Sequence, residues 1–150
     1  MIKLDAIDST NDYLRKLILK KKPTTPTVVM SQYQKKGKGQ RGQVWTSQAG
    51  KNLMFSLYMP NFTLPTKEVF SINKIVSVCL LHWLSSFKIP NICVKWPNDI
   101  LSGDSKLAGI LIESNVLQST ANSIIIGVGL NVNQVEFQNL PNATSMQLLT

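Results

Sequence analysis

Lys95-Trp96-Pro97-Asn98-Asp99-Ile100, followed after a polar turn by Lys106-Leu107-Ala108-Gly109-Ile110-Leu111-Ile112-Glu113, is the stretch on which the reading of this chain turns. Ile92-Cys93-Val94 ahead of it reads as a short buried strand that delivers Lys95 onto a Trp-Pro step. Pro97 fixes its own backbone and biases Trp96 away from helix, while Asn98 and Asp99 favour a turn closed by their own side chains. The result is an ammonium presented at a strand end beside an aromatic ring. Such a charge suits a carboxylate or a phosphate, and it equally suits a solvated strand terminator. Lys106 to Glu113 reads as a further strand, and Leu101-Ser102-Gly103-Asp104-Ser105 predicts a hairpin turn in front of it.

Working outward, Asp8-Ser9-Thr10-Asn11 predicts a helix start with Ser9 and Asp12 spaced as a capping pair. Tyr13, Leu14, Leu17 and Ile18 form its apolar face, and Pro23 stops it. Strands are expected at Val28 to Gln34, Asn52 to Met59 and Ser123 to Asn133. A long helix is expected from about Thr66 to Phe87, burying Val69, Ile72, Ile75, Val76, Cys79, Leu80, Trp83 and Leu84 at helical spacing. The tail from Pro141 approaches another helix. Strands in succession with few helices, rather than strict alternation, predict an α+β fold with a mixed β-sheet backed by helices.

Gly37-Lys38-Gly39-Gln40-Arg41-Gly42 matches G-x-G-x-x-G, but its context rejects a dinucleotide fingerprint. A strand precedes it, yet a second strand follows instead of a helix, and no Asp or Glu lies between Asp12 and Glu68 to meet a ribose. Gln43 stands where the Gly-Lys-Ser/Thr ending of a P-loop would begin. What remains is a glycine-rich loop with Lys35, Lys36, Lys38 and Arg41, a nest of backbone donors and cations for an anion. A basic hairpin loop without a ligand is the plain alternative. The glycines and mutually repelling cations predict a loop that gates.

At 150 residues the chain is one domain, large enough to bury roughly 68–70% of its unfolded surface. No apolar run approaches the roughly 18 residues a membrane helix needs, and no signal-peptide pattern opens the chain. Cys79 and Cys93 sit at isolated apolar positions and read as reduced core thiols of a cytoplasmic protein. His82 reads as a packing or surface residue. The net charge of +8 makes nucleic-acid binding a competitor, but the cations fall in separate groups, with no aromatic-interleaved stripe. No nucleic-acid or membrane partner is expected.

The segments Gly37 to Trp45, Lys95 to Asp99, Lys106 to Glu113 and Gly127-Val128-Gly129-Leu130-Asn131-Val132-Asn133, in this order after Asp8-Ser9-Thr10-Asn11, resemble the catalytic domain of the biotin protein ligases. The resemblance runs from about Leu4 to Met146 and implies a class II synthetase-like fold. It implies that biotin and Mg·ATP form biotinyl-5′-AMP, whose biotin passes to a lysine of a biotin carboxyl carrier protein domain. ATP with Mg is then a co-substrate and biotin a substrate, with no bound prosthetic group. Residues 1–150 would be a C-terminally truncated catalytic domain, without the family's N-terminal DNA-binding domain or C-terminal SH3-like barrel. Pairing as a homodimer is a further expectation. The alternative is a lipoate or octanoate ligase or transferase of the same fold.

The resemblance also implies roles. Lys95 would bridge the biotin carboxylate and the α-phosphate as the main electrostatic catalyst. Ser9, Thr10, Asn11 and Gln34 would line the biotin pocket, with Gly109, Gly127 and Gly129 allowing close backbone approach. Gly37, Lys38, Gly39, Gln40, Arg41 and Gly42 would close over biotin and the adenylate. Trp45, Asn131 and Lys106 would serve the adenine and ATP side, and Asp99 is the candidate on the Mg side. Lys38, Gln40 and Gln43 depart from the arginines common in the family, so faster escape of the adenylate is expected.

Overall fold

A computed structural model of the chain describes residues 1–117 and 119–150. In chain order the elements are β1 (Ile2–Ile7), α1 (Thr10–Lys21), β2 (Thr27–Gln34), β3 (Gly37–Lys38), β4 (Val44–Trp45), β5 (Asn52–Pro65), α2 (Val69–Ser85), β6 (Ile92–Lys95), β7 (Asp99–Ser102), β8 (Ser105–Leu117), β9 (Thr120–Asn131) and α3 (Met146–Leu149). Among the described residues, seven strands form one mixed sheet in the order β1-β2-β5-β9-β8-β7-β6, and β3 and β4 make a small separate hairpin. Only β1 and β2 pair in parallel; the remaining ladders are antiparallel.

The helices take opposite faces. Leu14 of α1 packs with Val29, Tyr58 and Ile125, whereas Ile72, Val76 and Leu80 of α2 pack on Ile124, Ile126 and Val128. Consecutive β9 residues therefore serve different cores, as the two-residue period of a strand requires. That explains why β9 is continuously apolar from Ile124 to Leu130 instead of alternating. Where Ile125 would be followed on the α1 face by two more side chains, the sequence has Gly127 and Gly129. The α1 face is therefore stripped of bulk at one end.

Four expectations change. β1, an alternating Ile-Lys-Leu-Asp-Ala-Ile run, was not anticipated. The turn after Lys95 is short, because Asp99 already begins β7; the predicted hairpin is β7–β8, with Gly103 at its tip in a left-handed conformation (φ 56°). On α2 the buried residues are Leu84 and the polar Asn73 and Ser77, while Ile75 and Trp83 are exposed. Cys79 and Cys93 are both exposed rather than core thiols. The physical reason is common to both: the apolar stripe of α2 is wider than the sheet it covers, and β6 is an edge strand.

Candidate functional site

The floor of the site is glycine. Gly129 pairs with Gly109 across the β8–β9 ladder, and Gly127 pairs with Ser56 across the β5–β9 ladder. A side chain on Gly127 would collide with the carboxamide of Asn11, and a Cβ on Gly129 would come within 2.6 Å of a Trp45 ring carbon. Gly37 is equally constrained, since a Cβ there would run into the Trp45 carbonyl. These glycines are needed for close approach, not for turning.

Over this floor stand two walls. One is the start of α1, where Ser9 is the extended N-cap (φ −157°) and its hydroxyl accepts the Asp12 N–H at 3.4 Å. Thr10 and Asn11 follow, both buried. Gln34, the last residue of β2, accepts the Thr10 N–H at 2.7 Å and lies 3.1 Å from the Thr10 hydroxyl. The cap residue thus holds the helix start while its two successors turn inward. Capping and pocket roles coexist in one tripeptide.

The other wall is the glycine loop. Lys38 of β3 reaches back to α1 and pairs with Asp12 at 2.7 Å. Gly39 and Gln40 face the cleft with Gln43, Val44 and Trp45. Arg41 (φ 52°) and Gly42 (φ 79°) take left-handed conformations and turn outward, onto a groove shared with Lys35 and Lys36. Gly37, Arg41 and Gly42, all expected to close over the ligand, line this outer groove rather than the first cleft. The loop's latch to α1 is one half-exposed ion pair, worth at most about 1 kcal/mol. Trypsin is expected to cut the free protein at Lys38 or Arg41, faster in Asp12→Ala, and biotin plus ATP is expected to slow both. Equal cleavage with and without ligands would remove the gating role.

A second cleft opens beside the first, on the far side of Trp45. It is lined by Trp45, Lys95, Asp99, Asp104, Lys106 and Asn131, with the segment Phe137 to Ala143 as its outer wall. Asn131 donates to the Thr144 carbonyl at 2.9 Å, and its Oδ1 is buried without a partner, as is the indole N–H of Trp45. Gln134 fastens this wall: its side-chain oxygen accepts from Asn52 at 2.6 Å and from the Gln48 N–H at 3.0 Å.

Lys106, Asp99 and Trp45 line both clefts; Lys95 lines only the second. The Lys106 ammonium pairs with Asp99 at 2.7 Å and lies 5.9 Å from the Trp45 ring centroid. Its backbone is held on both sides, the N–H by the Asn142 carbonyl at 2.6 Å and the carbonyl by the Thr144 N–H at 2.9 Å. Lys95 is exposed at the end of edge strand β6, and its neighbour Trp96, 71% exposed, packs edge-on against Phe70. At the clefts, the ammonium that stands over an aromatic ring is that of Lys106, over Trp45.

Residues that the sequence reading left unassigned complete the site. Ser56 is fully buried beneath the cleft and touches Thr10 and Asn11; Glu113 holds the Asn11 carboxamide from β8. A readable signal existed for Ser56. It is a small polar residue between Met54 and Tyr58 on the inward positions of an otherwise apolar strand.

The site of this α+β domain is thus a glycine-floored cleft between a capped helix and a cationic loop, opening onto a second cleft across one lysine. Residues 4–131 match the model of the biotin/lipoate A/B protein ligase family, and the chain belongs to that family. It is 34% identical over 129 residues to the bifunctional ligase/repressor BirA of Escherichia coli, covering 86% of this chain and 39% of that protein. Against the biotin–(acetyl-CoA-carboxylase) ligase of Mycobacterium tuberculosis the identity is 30% over 122 residues, or 79% of this chain and 44% of that one. The biotin protein ligase of Aquifex aeolicus, solved with biotin and ATP, superposes with a TM-score of 0.74 at 28% identity, covering 99% of this chain and 60% of that one. The chain thus spans less than half of the two curated relatives' lengths and 60% of the solved one's. No helix among the described residues is long and apolar enough to cross a membrane.

Proposed function

We propose that this domain activates biotin with ATP, forming biotinyl-5′-AMP, and passes biotin to a lysine of a biotin carboxyl carrier protein domain. The observation that carries this reading is the junction of two clefts at Lys106. The first cleft, polar at the Ser9-Thr10-Asn11 and Gln34 end and glycine-floored, suits a compact ring with hydrogen-bonding edges. The second, with Trp45 and the unpartnered Asn131 Oδ1, suits a purine with an exocyclic amine.

Lys106 lies where the two ligands would meet, and we assign it, rather than Lys95, the electrostatic role. A biotin carboxylate oxygen attacks the α-phosphorus, the bond to the bridging oxygen of pyrophosphate breaks, and the mixed anhydride forms. Negative charge grows on the non-bridging oxygens during this step, and a preorganised cation beside them lowers the barrier. Once nucleotide phosphates compete for the Lys106 ammonium, Asp99 would be freed and, with Asp104, would hold an ion arriving with those phosphates, since magnesium is held by one or two carboxylates plus phosphates. Magnesium would neutralise phosphate charge there. In the second step the carrier lysine amine attacks the acyl carbon, AMP leaves, and an amide remains. Lys38 and Gln40, on the loop, screen the anhydride from water.

Biotin in the names of the relatives supports biotin over lipoate or octanoate. The test is pyrophosphate exchange into ATP with each acid in turn. Exchange with biotin alone is expected; exchange with lipoate or octanoate instead would replace this reading.

A further inference from the structure

Behind the first cleft lies a chain of hydrogen bonds whose direction is set from outside it. The Asn11 Nδ2 donates to Glu113 Oε2 at 2.9 Å, and the other Glu113 oxygen pairs with Arg15 of α1. A carboxylate only accepts, so Glu113 forces the Asn11 nitrogen toward β8 and turns Oδ1 toward Ser56. Ser56 Oγ lies 2.5 Å from that oxygen and 2.7 Å from the Thr10 hydroxyl. Asn11 Oδ1 brings no proton, so the single Ser56 proton must point to it, and the Thr10 proton must then point to Ser56. Gln34 Oε1 is satisfied by the Thr10 N–H. A Thr10 lone pair and the Gln34 amide N–H groups are left side by side, an acceptor next to donors. That pattern complements the adjacent N–H and C=O of a cyclic urea.

The same atoms support a reversed wiring. With Asn11 flipped, its nitrogen would donate to Ser56, the Ser56 proton would turn to Thr10, and the Thr10 proton would turn to Gln34. Ser56 would then occupy one of the two Thr10 lone pairs, and the Thr10 proton would be turned to the Gln34 side, so the acceptor facing the ligand would be weakened. We propose that Glu113 is a positioning residue which, through Asn11 and Ser56, selects the hydrogen-bond polarity of the biotin-ring end of the cleft; this rests on the biotin reading above. Glu113 touches no ligand in this scheme and acts through a buried neighbour. Ser56, fully buried and outside the cleft lining, transmits the choice.

The discriminating variant is Glu113→Gln, nearly identical in shape. Arg15 keeps the new amide oxygen, so the new NH2 group faces Asn11 and favours the reversed wiring. In pyrophosphate exchange, Glu113→Gln is expected to raise the biotin KM roughly ten- to hundredfold, while the ATP KM and the melting temperature stay near wild type. Adding Asn11→Asp restores an acceptor on both sides of position 11 at the original net charge, and is expected to recover a large part of the loss. A biotin KM within about twofold of wild type, a parallel rise in both KM values, or no recovery in the double variant would each overturn the proposal. Ser56→Ala, read the same way, is expected to raise the biotin KM selectively even if Glu113→Gln folds poorly; a purely thermal effect there overturns the transmission step. A wild type that exchanges with none of the acids would sink the biotin reading instead, so the two failures are told apart.

Discussion

Lys106→Ala is expected to cut biotin-dependent pyrophosphate exchange by two to three orders of magnitude, the range seen when one preorganised charge-stabilising group is removed. Most of the loss should fall on kcat, because the cation is needed most when charge has developed on the phosphate oxygens. Lys95→Ala should cost less than about fivefold, as an exposed cation at a cleft margin is screened by water. The contrast rests on placement. Lys106 is reached from both clefts, its backbone is clamped by Asn142 and Thr144, and its ammonium is held by Asp99. Lys95 has none of these supports among the described residues. Lys106→Arg should recover little, since a planar fork does not fit the place of a point charge. Comparable losses at both lysines would return Lys95 to the reaction centre.

The surroundings of the two lysines show what a linear reading can and cannot hold. Lys95 stands against Trp96 and Pro97 in the chain, and adjacency in sequence looked like adjacency in space. In the fold, Trp96 turns outward to Phe70, while Trp45, far away in sequence, comes to Lys106 through the β3–β4 hairpin. Convergence of that kind depends on strand order: β6, β7, β8 and β9 pair as successive hairpins, but the β5–β9 ladder that joins them to the β1-β2-β5 half of the sheet is a long-range pairing that no local pattern encodes. Local chemistry was legible where it is self-contained. The Ser9 cap, the strands before and after the glycine loop, the turn of the β7–β8 hairpin and the glycines of β9 were all visible, because capping, turn formation and missing side chains act within a few residues. Glu113 was not, and Ser56 showed only as a polar residue in a buried register of β5, since the importance of both lies in contacts made across α1, β5 and β8.

The amphipathic reading of α2 failed for a related reason. Helical spacing identifies a stripe of apolar residues but not how much of it another element covers. The stripe from Ile72 to Leu84 meets the sheet along only part of its width, and Ile75, Cys79 and Trp83 stay exposed.

Gly127→Ala and Gly129→Ala should separate the two halves of the site. At Gly127 the new methyl takes the place of the Asn11 carboxamide, so Asn11 must leave Glu113 and Ser56. One buried and one part-buried hydrogen bond are lost, at about 1–3 kcal/mol for the buried partner left unsatisfied and less for the part-exposed Glu113. A melting-temperature drop of roughly 4–12 °C is expected for a domain of this size, together with loss of biotin-dependent exchange at ordinary biotin concentrations. At Gly129 the methyl meets the Trp45 ring instead, within 2.6 Å of one ring carbon. The indole must shift, carrying with it the hairpin that pairs Trp45 with Gly37 and the contact with Lys106. The ATP KM should rise more than the biotin KM, and cleavage of the loop by trypsin should quicken. The pair of profiles is the measurement. If Gly127→Ala and Gly129→Ala shift the biotin and ATP KM values by the same ratio, the clefts are not specialised as assigned, and the division at Trp45 is wrong.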